Sequence, residues 1–375
     1  MGLLKGTFTF SRYRPQDPLP KNFHDFIGRE IKHYAFRELS TGGQQKSSGW
    51  TSLENILDTQ FEYANYSVGD YLAFSFRLDR KSVPPSLMKI RYLEAEKKAL
   101  SAKAKKFLSK GEKEEIKERV HLDLLSRTYP VPSFFDVCWA LSQNWLIFGS
   151  LSPKVTEEFE QLFKKSFNLT LSPLVPWDPQ HLDRTLVEKV ASLKDGVFLK
   201  PQGPEQDKAG PPLLGREFLT WLWSKSEERD GTVQVSGMGD VEISFARRLA
   251  LESGGGEYAE SIVCQGLHAG LKEGKAAIQE GKKVKEARIQ LGVGPEKFEF
   301  TLKGDSFHFQ TLRLPAGVEE EEEDSDKGGR VLERIYLMEK AMKTMDQLFF
   351  TFLKRRLSPQ WSSEEIPRIK KWLDK

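Results

Sequence analysis

Between Lys97 and Lys110 the chain reads KKALSAKAKKFLSK, six lysines without an acid. A lysine ammonium is a compact charge suited to phosphate oxygens; it lacks the planar fork with which arginine reads a carboxylate or a base edge. Lysines one turn apart on a helix repel by roughly a few tenths of a kcal/mol. An acid-free run is therefore uncommon on a helix that only packs. Lys98 with Lys105, and Lys103 with Lys106 and Lys110, fall on nearby faces at helical spacing. Lys113, Lys117, Arg119 and Arg127 continue the positive charge. The chemistry this offers is attraction for an anionic polymer, non-specific and salt-dependent. The bland reading is a solvated helix face. Nucleic acid and an acidic protein both remain open as partners.

Catalytic patterns are sparse. Gly270-Leu-Lys-Glu-Gly274-Lys275-Ala276 falls one residue short of a phosphate-binding loop and lacks the hydroxyl that would hold magnesium. Glu115-Ile116-Lys117 matches the acid-x-Lys spacing of metal-dependent nucleases. It lies among alternating charges, where such pairs arise as surface ion pairs. The six histidines are dispersed, without the spacing of a zinc site, and Gly-x-Ser-x-Gly does not occur. Trp221 and Trp223 could stack on bases, but two tryptophans in an apolar helix read first as core. The expectation is a protein without catalytic residues, metal or cofactor.

The whole chain is nearly neutral, with a formal charge of +3 over 375 residues, so the lysine run is a local concentration of charge. At 38% hydrophobic and 11% aromatic it can bury substantial cores. Two cysteines, Cys138 and Cys264, cannot build a disulfide framework and suit a reducing compartment. The opening MGLLKGTFTFSRYR has no apolar signal region, and Gly6 stands where myristoylation needs Ser or Thr. No run approaches the length needed to span a bilayer. A cytoplasmic protein with no membrane partner is expected.

The positioning elements follow from periodicity. Gly6–Tyr13 and Asp70–Asp79 alternate as strands, and Pro84-Pro85 ends the second. A helix is expected from Asn22 to Glu38, with a loop at Thr41–Ser48 after it. Ser86 is expected to cap the basic helix, and Gly111 to separate it from a second helix starting at Glu112, in which Ile116, Val120 and Leu124 recur at helical spacing. The two form a hairpin over 86–127 that can project from a body. Phe134–Leu141 and Trp145–Ser150 pair across Ser142–Asn144; Ser152 caps a helix, and Leu169–Val175 returns as a strand. Further on, Arg216–Ser224 and Glu257–Gly281 read as helices. Lys282–Leu291, Lys297–Lys303 and Ser306–Leu314 read as antiparallel strands. Glu319–Asp324 is an acidic loop, followed by a helix from about Arg330 to Leu357 and a short one beginning at Ser362/Ser363. Without a βαβα rhythm, the fold class is α+β: antiparallel sheets, a projecting basic helical hairpin and C-terminal helices.

The order of these features resembles the RdgC family, recombination-associated proteins of bacteria. The resemblance rests on Leu4–Tyr13, Gly49-Trp50, DYLAFSFRLD, the lysine/glutamate helices ending in HLDLLSRTYP, FFDVCWALSQNWLIFGS and LTLSPLVP. It is best over residues 1–180. A variable α+β region with an insertion around 205–256 spans 181–320, and C-terminal helices span 327–375. The resemblance implies a non-enzymatic homodimeric ring through which duplex DNA passes. Such a ring would restrain the recombinase RecA by occupying DNA, with a nucleoid-associated location. It assigns DNA contacts to Lys97, Lys98, Lys103, Lys105, Lys106, Lys110, Lys113, Lys117, Arg119 and Arg127, and to Lys282, Lys283, Lys285 and Arg288 in a later basic stretch. It also implies that Tyr129, following Leu124-Leu125-Ser126-Arg127, is the dimer-gate aromatic. The alternatives are a DNA-processing nuclease and a module that binds an acidic protein.

Overall fold

The computed structural model describes residues 2–19, 22–39, 44–61, 66–103, 106–193, 213–228, 231–253, 260–266, 272–315 and 327–374. Its organising strand is β1 (Phe8–Pro15). The first part of β1 pairs with β13 (His308–Arg313), Phe8 opposite Leu312 and Phe10 opposite Phe309. The next part pairs with β6 (Trp145–Phe148), from Ser11 opposite Phe148 to Tyr13 opposite Leu146. One strand thus joins two antiparallel halves into a continuous thirteen-stranded sheet among the described residues.

On the β6 side lie β5 (Val131–Ala140), β4 (Tyr71–Arg80) and β2 (Lys46–Ser52), with β3 (Ser67–Val68) on β4 and β7 (Leu171–Pro173) on β1. Leu72, Phe74, Phe76 and Leu78 of β4 point to one face, as period-2 alternation requires. They meet Trp50, Val137, Trp139 and Phe148 beneath α1 (Phe23–His33) and α4 (Pro153–Phe167). Trp50 is fully buried among Phe74, Phe159 and Phe167, and its indole N–H donates to Ser166 Oγ at 2.9 Å.

On the β13 side follow β12 (Glu296–Lys303), β11 (Lys282–Val293), β9 (Gly239–Ser253) and β10 (Ser261–Gln265), with β8 (Thr232–Val235) on β9. Here the core is closed by α6 (Leu214–Ser226), α7 (Lys272–Gln279), α8 (Lys327–Arg356) and α9 (Ile366–Leu373), with Val190 of the short α5 (Arg184–Ala191) against it. α8 also reaches the other half: Arg334 donates to the carbonyls of Leu3, Gly2 and Gly6, and Arg12 forms a bidentate pair with Asp346.

Several sequence expectations are corrected. The first helix stops at His33, because 34–36 turn to line the edge of β2: Phe36 N–H donates to Trp50 O at 2.8 Å and Trp50 N–H to Tyr34 O at 3.1 Å. Gly49 permits this approach, since a Cβ there would strike the Phe36 backbone. The expected loop at Thr41–Ser48 gives way to β2 from Lys46, with 41–43 outside the described residues. The strand expected over Leu169–Val175 shortens to β7, paired only with the end of β1. The helix expected over Glu257–Gly281 is replaced by β10 and α7, with 254–259 and 267–271 outside the described residues. β10 forms because β9 offers it a free edge, with Ile262 opposite Leu251 and Cys264 opposite Leu249. The expected acidic loop at Glu319–Asp324 lies outside the described residues.

The described part of the segment around 205–256 is structural core. Leu214 to Ser224 of α6 is buried throughout, and β9 stands between β10 and β11. Trp221 packs on Phe352, and Trp223 meets Trp372 edge-on at 4.8 Å. These two indoles therefore serve packing, as the apolar surroundings of the motif implied.

Candidate nucleic-acid interface

The basic run forms two helices, α2 (Pro85–Ala102) and α3 (Lys110–Arg127), which pack mainly against each other. Each is about 27 Å long at 1.5 Å per residue. The cap of α2 is Pro84, with Pro85 in the first helical position, rather than Ser86. Proline suits that position because its fixed φ matches the helix and the N–H it lacks would be unpaired there. α3 begins at Lys110, so Gly111 lies inside it instead of interrupting the two helices. Ser109 sets this start. Its N–H donates to Glu112 Oε2 at 2.8 Å and its Oγ accepts the Glu112 N–H at 3.3 Å, a reciprocal capping box.

α2 buries none of its residues, and α3 buries Ile116, Leu124 and Leu125. The side chains of α2 therefore remain available at the surface. Over 85–127 twelve basic residues face seven acidic ones, a net +5 in a chain whose total is +3. All the excess positive charge of the protein can thus be assigned to this arm, and the remainder is slightly acidic.

Within the arm the basic residues divide. Lys97 and Lys98 on α2, Lys106 in the turn, and Lys110, Lys117 and Arg119 on α3 are exposed and form no ion pair among the described residues. Lys103 is tied to Glu112 at 2.7 Å, Lys113 crosses to Glu96 at 3.2 Å, and Arg127 pairs with Asp123 at 2.8 Å. Lys105 lies outside the described residues. Lys89 on α2 is also exposed and was missed, because an isolated lysine outside the dense run gives no signal. So was Phe107, 84% exposed beside Lys106; its signal was an aromatic inside a lysine-dense run.

The later basic stretch is built differently. Lys282, Lys283, Lys285 and Arg288 lie on β11. The Lys282 ammonium sits 3.2 Å from both Glu260 and Glu280, and these carboxylates hold it above its usual range. Lys283 is buried. Lys285 pairs with Glu252 at 2.6 Å, and Arg288 donates to Glu299 at 2.8 Å and Thr311 Oγ1 at 2.6 Å. Lys285 and Arg288 belong to cross-strand networks and Lys282 is held by two carboxylates outside the strands, unlike the open lysines of the arm.

Tyr129 follows α3 and precedes β5, and is 88% exposed. Leu87, Ile90, Leu93, Leu122 and Val131 on the same two helices and the start of β5 are also exposed.

The candidate phosphate loop is built into the core. Lys275 is buried, pairs with Glu227 at 2.9 Å and lies over the Trp372 ring, while Gly274 abuts Trp223. Glu115 and Lys117 stand exposed on α3. Among the described residues no group of three or more His, Cys, Asp or Glu side chains is placed to hold a metal. Likewise, no helix there is long and apolar enough to cross a membrane. Burial pushes the Cys138 thiol well above its usual range.

The geometry defines an antiparallel α+β protein carrying an exposed basic two-helix arm. Residues 11–186 match the model of the RdgC family, described as "Putative exonuclease, RdgC". The match spans 176 of the 375 residues and includes the whole arm, with β4, β5 and β6. No curated protein matches the chain.

Proposed function

We propose that this protein is a non-enzymatic, non-specific binder of double-stranded DNA that acts as an RdgC-like homodimeric ring and limits RecA-dependent recombination by occupying the duplex. The observation that carries the reading is the set of exposed lysines on the α2–α3 arm that form no ion pair among the described residues. Point charges of this kind track phosphates without reading bases, and each phosphate neutralised releases condensed counterions. The exposed Tyr129 at the foot of the arm supports a contact with a second copy of the chain. A nucleoid-associated location would follow from the binding.

The test is sedimentation of the pure protein with and without random-sequence duplex, at several salt concentrations. A dimer that shifts onto DNA, with steep weakening as salt rises, supports the reading. A monomer in both conditions sinks the ring, and absence of binding at about 50 mM salt sinks the DNA reading and favours an acidic protein partner.

The family description names an exonuclease, which keeps a second reading in view. Incubation of linear duplex with the protein and magnesium or manganese decides it. Intact ends support a binder, whereas metal-dependent shortening of the strands establishes a nuclease.

A further inference from the structure

A cleft of about 420 Å³ opens between β1, β6 and α8, formed by residues other than those of the basic arm. Its volume lies within the range of small-molecule sites. Trp145, Leu174, Met342 and Phe350 give it an apolar lining, with Arg12, Arg14, Glu339, Lys343 and Asp346 among its polar groups.

Three cations and two carboxylates reach this cleft. Arg12 is fully engaged at its terminal nitrogens, which donate to the two oxygens of Asp346 at 2.9 and 3.0 Å. Lys343 is paired with Glu339, whose other oxygen accepts the Tyr71 hydroxyl at 2.9 Å. Both carboxylates are thereby neutralised. Arg14 is the cation left over. Its backbone is fixed by pairing with Ser172 of β7, but its guanidinium has no ion pair among the described residues, and its Nε, like that of Arg12, is buried without a hydrogen-bond partner. Desolvation pulls this guanidinium below its usual range; Asp178 acts in the opposite sense from a distance. A half-buried charge without a partner is costly, and an anion that enters the cleft recovers that cost.

We propose that this cleft is a binding site for a small organic anion, with the charged head on Arg14 and a flat apolar body against Trp145 and Phe350. The head is a carboxylate or a phosphate, both of which match a guanidinium fork.

Isothermal titration calorimetry on the full chain at about 150 mM salt tests this, a concentration that screens loose surface attraction. The probes are phenyl phosphate and benzoate, with benzyl alcohol as the uncharged control. One saturable site per chain is expected for at least one anion, with the alcohol at least about tenfold weaker. The tighter anion identifies the head group. Arg14→Met is expected to bring the anion to the level of the alcohol, and Arg14→Lys to restore part of the difference. A Lys97→Glu/Lys98→Glu variant is expected to bind the anion unchanged, which separates the cleft from the arm. The proposal is overturned by no saturable binding of either anion, by equal binding of the alcohol, by survival in a folded Arg14→Met protein, or by loss in the arm variant. Should Arg14→Met fail to fold, the comparison of anion with alcohol on the unaltered chain still decides.

Discussion

The Lys103 ammonium lies 2.7 Å from Glu112 Oε1, while the second oxygen of the same carboxylate accepts the Ser109 N–H at 2.8 Å. A lysine from the middle of the basic run thus closes the helical turn. Lys103 is therefore a structural member of the arm before it is a phosphate contact, and charge reversal there would disturb the turn and the charge together.

Ser109→Ala isolates the turn. Loss of an N-cap hydroxyl costs about 1 kcal/mol of helix stability. Because α2 buries nothing, that loss is expected to stay within the arm. Hydrogen exchange should show faster amides in the first turn of α3, by about fivefold for 1 kcal/mol, with the melting midpoint of the whole protein little changed. Unaltered exchange around Lys110–Lys113 would mean that the capping box does not hold the arm.

Replacing Lys97, Lys98, Lys106 and Lys110 together by alanine tests the open lysines. If each neutralises one phosphate, the slope of log K against log salt should fall by about 0.9 per lysine, between 3 and 4 in all on the order-of-magnitude scale. Alanine at Lys285 or Arg288 should leave the slope unchanged, because Glu252 and Glu299 already hold those charges. Their loss should instead lower stability, by roughly 1 kcal/mol or less per half-exposed pair. Fluorescence anisotropy on a random-sequence duplex at four or more salt concentrations reads the slope, and chemical denaturation reads the stability. A steep slope surviving the fourfold change would place the phosphates elsewhere.

What the sequence disclosed follows from how local each signal is. β4 was legible because Leu72, Phe74, Phe76 and Leu78 keep strict alternation across a sheet buried on both faces. The core role of Trp221 and Trp223 was legible from an apolar helix around them. β9 was not, because the Arg247-Arg248 pair interrupts its apolar alternation at the point where pairing with β11 shifts register. The end of α1 depended on Trp50, a residue sixteen positions beyond Tyr34. The same limit applied to the charges. Lysine density marked the arm, but the neutralisation of Lys285 by Glu252 joins residues thirty-three apart, and composition carries no trace of it.

Tyr129 offers a direct test of self-association. At 88% exposure its ring contributes little to the fold of one chain, so Tyr129→Ala should change stability by no more than about 0.5 kcal/mol. If the ring seats in a second copy, the same change should weaken the dimer by at least about tenfold, the scale of an aromatic anchor. Tyr129→Phe should retain the dimer, because the apolar ring rather than the hydroxyl would fill the partner. Sedimentation velocity across a dilution series distinguishes these outcomes. An unchanged dimer in Tyr129→Ala would place the interface on another surface.

Acid sensitivity should come in part from His308. Burial, with the nearby cations Arg12 and Lys303, pushes its imidazole down to about 4 from an ordinary value of 6.5. A lowered value means that the folded state resists a proton which the unfolded chain accepts. The associated stability is complete above pH 6.5 and is lost as pH falls from 6.5 towards 4, by at most about 3 kcal/mol. Asp136 acts in the opposite direction. Its burial raises the carboxyl above its usual range despite hydrogen bonds from Leu3 N–H and Ser75 Oγ, so its protonation in acid favours the fold. The absolute pH profile mixes the two. The difference between the unaltered chain and His308→Gln cancels the Asp136 contribution and should narrow as pH falls through this window. Urea denaturation at pH 7, 6, 5 and 4 measures it. A difference that stays constant from pH 7 to 4 would show that His308 titrates as it does in the unfolded chain.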